Sequence, residues 1–328
     1  MKPGVYDGMS MAEYLAAPAV SASILLDVLQ RCPSAGWHNS WKNPAFVPDV
    51  STKAQNSGTI AHAILLEGSR DCVVVIDPKN HPAEKTGAIP EGWTNKSIRA
   101  ARDAALAAGK IPILPENMAE IEAMVASAQR FISTLEHTKP DVWRAFQDGG
   151  GTSEVTIIWD DDGTPCRIRP DRLATDRALM VDVKSTLTTA EPHRWGRSQM
   201  VNGGYYIAAA FYRRGIRRAF GVESEYLWLV IEQEYPYLCS LVGTESAVIA
   251  VGDAKCERGL REWKACEKAN DWPAYPNDVV YPELPAWEVA AEEAQDGRPG
   301  IAYDIGKLWQ KPELIGLDRE NEPFEVRS

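Results

Sequence analysis

Apolar and polar positions change period several times along the chain, and each change marks an element. Residues 21–31, SASILLDVLQR, carry apolar positions at helical spacing; Ser21 or Ser23 can cap this helix and Cys32-Pro33 ends it. A loop bearing Trp37, Trp41, Pro44 and Pro48 follows. The run 57–67, SGTIAHAILLE, reads as a second helix, capped by Ser57 or Thr59 and closed by Gly68. A short strand lies at 73–76, and the Pro-, Gly- and Lys-rich stretch 77–94 reads as an exposed loop. Alanine-rich helices follow near 95–108 and 116–136.

The middle of the chain switches to period two. Residues 153–159 alternate, Asp160-Asp161-Asp162-Gly163 makes a turn, 166–173 forms a second strand, 174–177 turns again and 178–184 is a third strand. The spacing predicts an antiparallel meander. A long helix is expected at 193–214, weakened by Gly203-Gly204. Strands at 226–232 and 238–242 and a helix at 246–269 complete the pattern, before an acidic, Pro- and Gly-punctuated tail.

Composition narrows the class. The 328 residues can bury a large core, and no apolar run approaches the ~20 residues of a membrane span. The opening MKPGVYDGMSMAEY has no apolar signal-peptide core, so a soluble, cytoplasmic protein is expected. The cysteines, Cys32, Cys72, Cys166, Cys239, Cys256 and Cys266, are scattered without a C-x-x-C pair, which disfavours a zinc ribbon or a cysteine-held iron–sulfur cluster. The net charge of -11 argues against a nucleic-acid partner, but its distribution does not. Between Arg167 and Arg218 eleven basic residues face four acidic ones, a local surplus of roughly +7. A solvated helix face is the plain alternative for Arg213, Arg214, Arg217 and Arg218.

Candidate chemistry concentrates on the meander. In Val181-Asp182-Val183-Lys184 the valines point to one face, into the core, and Asp182 and Lys184 to the other. Antiparallel pairing can gather Glu154, Asp171, Asp182 and Lys184 on one surface. Converging carboxylates repel one another unless a cation neutralises them, and hard oxygen ligands suit Mg2+, with Mn2+ able to substitute. A lysine two residues from a metal-binding aspartate can position or deprotonate a water, or balance charge on a phosphate. Asp-x-Lys alone is a weak signal, with a surface salt-bridge ladder as its plain reading. Ser21 and Ser23 at a helix N-terminus, and Arg169, are candidate phosphate contacts.

The run EVTIIWDDDGTPCRIRPDRLATDRALMVDVKST, residues 154–186, resembles the core of the PD-(D/E)XK nuclease superfamily. In detail it is similar to the exodeoxyribonuclease VIII branch, related to phage lambda exonuclease. VSASILLDVLQRCP resembles that branch's N-terminal helix, SGTIAHAILLEG its "G-x-x-x-H-x-x-L-L-E-G" helix, and YLWLVIEQEYPY its late strand. The resemblance runs from about residue 20 to about residue 240, in the family's order. It implies that Asp171 and Asp182 ligate the metal with the Val183 carbonyl as third ligand. It implies that His62 is a further ligand, that Lys184 acts on the attacking water and scissile phosphate, and that Glu154 is an outer or second-metal carboxylate. Tyr205 and Tyr212 match the family's "Y-x-x-Q-A-A-x-Y" helix, whereas Ala208 stands at its glutamine; Gln199, about two turns upstream, is a candidate substitute that would have to approach from another height on the helix.

The expected fold is therefore α/β and restriction-endonuclease-like: a mixed central β-sheet flanked by helices, with the antiparallel meander carrying the metal site. A nuclease domain is expected at 1–285, with a helical insertion at about 77–136, and an acidic tail at 286–328. The resemblance implies a Mg2+-dependent exodeoxyribonuclease that degrades linear double-stranded DNA from an end, 5′ to 3′, leaving 3′ single-stranded tails for recombination. It implies a ring-shaped homo-oligomer, double-stranded DNA ends as substrate, a single-strand annealing protein as partner and a phage or prophage origin. The alternatives are another nuclease of the superfamily, such as its CRISPR-associated iron–sulfur type, and a catalytically weakened DNA-end-binding recombination partner.

Overall fold

The computed structural model describes residues 1–46 and 53–296. The chain divides into two units, Met1–Tyr275 and Pro276–Ser328. In the second unit Val279, Val280, Tyr281 and Leu284 are exposed ahead of helix Ala286–Asp296, as is Trp287 within it. The remainder of the expected acidic tail, and Pro48, lie outside the described residues.

The first unit opens with β1 (Gly4–Tyr6), α1 (Met11–Ala16), α2 (Ala22–Gln30) and α3 (Pro33–His38). Ser10 and Glu13 form a reciprocal capping box on α1, and Ser21 caps α2 by accepting from the Ile24 N–H at 3.4 Å. Next come α4 (Lys53–Glu67), β2 (Val73–Val75), α5 (Lys96–Ala107), β3 (Ile111–Ile113), α6 (Pro115–Thr134) and α7 (Pro140–Phe146). Helix α4 starts earlier than the caps expected at Ser57 and Thr59, which sit inside it. β2 and β3 pair in parallel, a strand hidden in the short GKIPILP segment.

The expected period-two region becomes β4 (Gly151–Ser153), β5 (Thr156–Asp161), β6 (Thr164–Ile168), β7 (Arg172–Ala174) and β8 (Leu179–Thr186). After it come α8 (Pro192–Trp195), α9 (Tyr205–Phe220), β9 (Glu225–Glu232), β10 (Cys239–Val242) and α10 (Ser246–Ala269). The central sheet is mixed, in the order β10-β9-β8-β7-β4; β8 and β9 are parallel, joined by the α8–α9 crossover, and the other pairs antiparallel. A mixed sheet flanked by helices is the expected architecture. The meander itself, however, is shared between two sheets. Its outer hairpin, β5-β6, leaves the central sheet and joins β1 in a three-stranded antiparallel sheet.

Two residues make that crease. Pro170 carries no N–H for a ladder, so β6 stops at Ile168. Opposite it, Glu154 adopts φ 55, a left-handed conformation that interrupts a strand, and its N–H reaches the Pro170 and Asp171 carbonyls at 3.1 and 3.3 Å. Both expected strands therefore break at one height.

Each face of the central sheet is covered by its own core. Met180, Tyr226, Trp228 and Val230 pack with α2, α9 and α10, including Phe211, Ile216 and Trp263. Leu179, Val181, Val183, Leu227, Leu229 and Ile231 pack with α4, α6 and α7. The continuous apolar run of β9 reflects a strand buried on both sides. One core contact fixes a residue type. A Cβ on Gly215 of α9 would lie 2.8 Å from Ile168 Cδ1 and 2.9 Å from Trp159 Cζ3, both buried. Gly215→Ala gains ~1 kcal/mol of helix propensity but incurs about 1–3 kcal/mol of overpacking, so the expected result is a net loss in a urea melt. A variant more stable than the parent would show that this contact yields freely.

Candidate active site

The crease brings three side chains from distant parts of the sequence to one point. Glu154 sits at the β4–β5 break, Asp171 just before β7, and His62 projects from the middle of α4. His62 Nε2 lies 3.0 Å from Asp171 Oδ2, and its Nδ1 lies 3.5 Å from Glu154 Oε1. One ligand atom from each residue falls within 4.8 Å of the others, the span of a single ion's coordination.

The central strand continues this site. β7 pairs with β8 only as far as Arg172–Val181, so the next residues of β8 have a free edge on that side. There the Val183 N–H donates to Asp171 Oδ2 at 2.7 Å. The N–H and C=O of one strand residue point to the same edge, so the Val183 carbonyl also faces the cluster's side of the sheet. Asp182 and Lys184 share the opposite face from Val181 and Val183, as alternation requires, and Lys184 Nζ contacts Asp182 Oδ2. That face, expected to point away from the core, is covered by a core of its own. Asp182 is only 7% exposed, because the α9 core covers it.

Burial sets the electrostatics. It pushes the Asp182 carboxyl up to about 6, against the pull of Lys184, with the Asp171 charge adding to the rise. Burial also opposes the Lys184 ammonium, but Asp182 and Asp171 outweigh it and raise its pKa. At Asp171 the hydrogen bond from His62 and the charge of Lys184 overcome burial and lower the pKa. His62 is disfavoured as a cation by burial, yet Asp171 and Glu154 raise it. Glu154 is raised by burial, with Arg169 working the other way. Imidazole and ammonium thus balance a group of carboxylates that would otherwise repel.

The donor set fits a divalent metal. Two carboxylates and an imidazole converge, and the buried Asp182 carboxylate, paired with Lys184, lies beside them. His62, Glu154 and Asp171 would hold the ion, with Asp182 and the Val183 carbonyl next in reach. Glu154 is thus placed inside the cluster, and Asp182 beside it rather than in it.

Other expected contacts are placed differently. Arg169 donates to Glu154 Oε2 at 2.5 Å, to the Met9 carbonyl at 2.7 Å and to Thr156 Oγ1 at 3.3 Å. Its guanidinium is occupied in holding Glu154 rather than open to a phosphate. Ser21 is buried, its hydroxyl shared between the α2 cap and Ser23 Oγ at 2.9 Å. The Tyr212 hydroxyl donates to the Arg169 carbonyl at 3.3 Å, and its ring meets Tyr226 edge-on at 5.6 Å. Tyr205 lies with its ring centroid 5.9 Å from Lys184 Nζ.

Much of the basic surplus is engaged by groups of the same chain, part of it in the core and part on the surface. Arg167 donates to the Ala17 carbonyl and stacks on Tyr14, Arg172 donates to the Ala145 carbonyl, and Arg177 covers Phe220. Arg214 pairs with Asp161, Arg217 with Glu223 and Arg218 with Asp162. Arg177, Arg217 and Arg218 are nevertheless exposed, as are Arg194 and Arg197.

The expected 193–214 helix is broken. A π-helical turn at Gly196–Asn202 and Gly204 at φ +73 separate α8 from α9. At φ +73 any side chain at Gly204 would be strained, so the break favours glycine. The result sets Gln199 in a cleft shared with Lys184 and Tyr205, while Ala208 packs against the core. Ser185, Thr186, Thr188 and Gln233 of that cleft were not singled out by sequence; only their place after the Asp-x-Lys strand and the late strand could have marked them.

Comparison with known proteins settles the family. Residues 31–283 match the model of a PDDEXK-like domain of unknown function, DUF3799. The chain belongs to that PDDEXK-like family. Its fold is also similar to the crystal structure of a candidate exonuclease from Eubacterium rectale, with a TM-score of 0.52 and 12% identity over 87% of this chain and 97% of that one. A structure of SSO0001 aligns at a TM-score of 0.24 and 9% identity over 62% of this chain and 85% of that one, too weakly to bear on the fold. No curated protein matches. The PDDEXK-like fold supports a nuclease that uses a divalent metal, and no helix among the described residues is long and apolar enough to cross a membrane.

Proposed function

We propose that this PDDEXK-like protein is a Mg2+-dependent exodeoxyribonuclease that degrades linear double-stranded DNA from an end, as the exodeoxyribonuclease VIII-like motifs suggest. The observation that carries the reading is the convergence of His62, Glu154 and Asp171 beside Asp182 and Lys184, at the open edge of a PDDEXK-like sheet. A bound divalent ion would lower the pKa of a water and offset charge on the scissile phosphate.

The protein's own groups do the rest. Lys184, held cationic by Asp182 and Asp171, would face the phosphate as a fixed charge. Arg169 fixes Glu154, and the Val183 N–H fixes Asp171, so both carboxylates are oriented before substrate arrives. The 5′ to 3′ direction, 3′ single-stranded tails for recombination, a ring-shaped homo-oligomer and a single-strand annealing partner belong to the same proposal. So does a cytoplasmic setting in a phage or prophage context.

The test is a time course on linear and covalently closed DNA of one sequence, with Mg2+ or with chelator. Linear duplex should shorten with Mg2+, and closed circles and chelated reactions should stay intact. Rapid cutting of closed circles would make the protein an endonuclease; no cleavage of either would favour the end-binding alternative.

A further inference from the structure

An open cleft of roughly 330 Å3 adjoins Lys184, on the side of the site that leads away from α4 toward α8 and α9. Its chemistry differs from that of the metal cluster. Among the described residues Lys184 is the sole cation of its lining and no carboxylate contributes; the other polar groups are hydroxyls and the carboxamides of Gln199 and Gln233. Such neutral donors and acceptors suit the heteroatoms of a base and a sugar, not a phosphate or a metal. Tyr205 presents a ring close to the Lys184 ammonium, and Trp195, buried, backs that ring at 6.0 Å. The volume lies at the small end of ligand pockets and is enough for one nucleoside. The π-helical turn, a costly feature that recurs at functional sites, is what carries Gln199 to this wall.

We propose that this cleft is a mononucleotide site. It holds the base and sugar of one deoxynucleotide whose phosphate lies at Lys184, with the base stacked on Tyr205 and hydrogen-bonded by Gln199. The inference rests on the nuclease reading and specifies it: the strand is gripped by one unpaired nucleoside, and the released product is a ligand of the same cleft.

The test measures binding by the full-length protein in chelator, so that no cleavage intervenes. dAMP and dTMP are titrated against deoxyribose 5-phosphate, which has the same charge and no base. Each nucleotide should bind about tenfold more tightly than the sugar phosphate, the contribution expected of one stacked base. Gln199→Ala and Tyr205→Leu should each remove most of that advantage, with sugar-phosphate binding retained. Gln199→Glu, on a half-exposed position, serves as the second variant if the Tyr205 substitution disturbs folding. Equal affinity for nucleotide and sugar phosphate would overturn the proposal, as would an advantage that survives the Gln199 substitutions. If linear DNA is cleaved while nucleotide and sugar phosphate bind alike, the nuclease reading stands and the cleft assignment alone falls. A nucleotide preference lost in the variants, in a protein that cleaves no DNA, would keep the cleft and remove the nuclease reading.

Discussion

Asp182→Asn should reduce Mg2+-dependent cleavage by at least about a thousandfold, some 4 kcal/mol of barrier, without unfolding the protein. Asparagine keeps the shape that the α9 core packs against, so no cavity forms. The substitution removes a carboxylate that burial already disfavours, its pKa standing at about 6. Lys184 keeps Asp171 as a neighbouring negative charge and remains partly exposed. In chelator the variant should therefore melt at or slightly above the parent's temperature. The difference should appear when Mg2+ or Mn2+ is added: the parent's melting temperature rises as the ion binds the folded state, and the variant's rises less. Lys184→Ala separates the two roles. It should lose cleavage to a similar degree while keeping the metal-induced rise, because lysine is not a ligand. Appreciable cleavage by Asp182→Asn would remove Asp182 from the site.

Much of this site can be read from the sequence, and the part that cannot has a physical cause. Asp171, Asp182, Lys184 and His62 sit in local patterns: an Asp-x-Lys strand, a Pro-Asp-Arg ahead of it and a helix with a central histidine. Local patterns give faces and spacings, and the structure keeps those for β8. What they miss depends on pairing. Strand alternation over 153–159 and 166–173 assumes unbroken strands, and nothing in the pattern reveals that Glu154 will adopt a left-handed conformation opposite Pro170. That crease turns Glu154 from a strand residue into a neighbour of His62.

Burial of Asp182 was hidden for a related reason. Val-Asp-Val-Lys alternates like a half-exposed strand, but its parallel partner β9, apolar from Tyr226 to Ile231, shows that both faces of the sheet are covered. Likewise the apolar period through 193–214 is continuous enough to suggest one helix, and the only visible hint of the break was Gly203-Gly204. The basic surplus illustrates the limit of counting charges. Arginines that look like a DNA footprint in sequence instead bind carbonyls, aromatic rings and carboxylates of the same chain.

The strongest of those internal pairs carries the second large prediction. Asp161, at the end of β5, receives Arg214 Nε at 2.7 Å and Nη2 at 2.8 Å, and the Trp159 indole N–H at 3.0 Å. Both charged side chains are nearly closed to solvent, at 3% and 8% exposure. A bidentate pair so placed joins α9 to the three-stranded sheet. Removing Asp161 strips the buried Arg214 of its bidentate partner and leaves it only the longer contact with the exposed Glu257 at 3.6 Å, so Asp161→Ala should cost about 3 kcal/mol in a urea or thermal melt. The double variant Asp161→Leu, Arg214→Met should cost much less than the two single losses added together, since no orphan charge remains. Acid should mimic the single variant. Burial alone would raise the Asp161 pKa, but Arg214 and Trp159 outweigh it and hold it below its ordinary value of 3.8. A group depressed on folding stabilises the protein above its unfolded pKa, and that stability is lost as pH falls below about 4 through the folded value. The parent should therefore lose more stability than Asp161→Asn over this acid range. Two parallel stability curves, or an Asp161→Ala protein within about 0.5 kcal/mol of the parent, would show that the pair contributes little to holding α9 on its sheet.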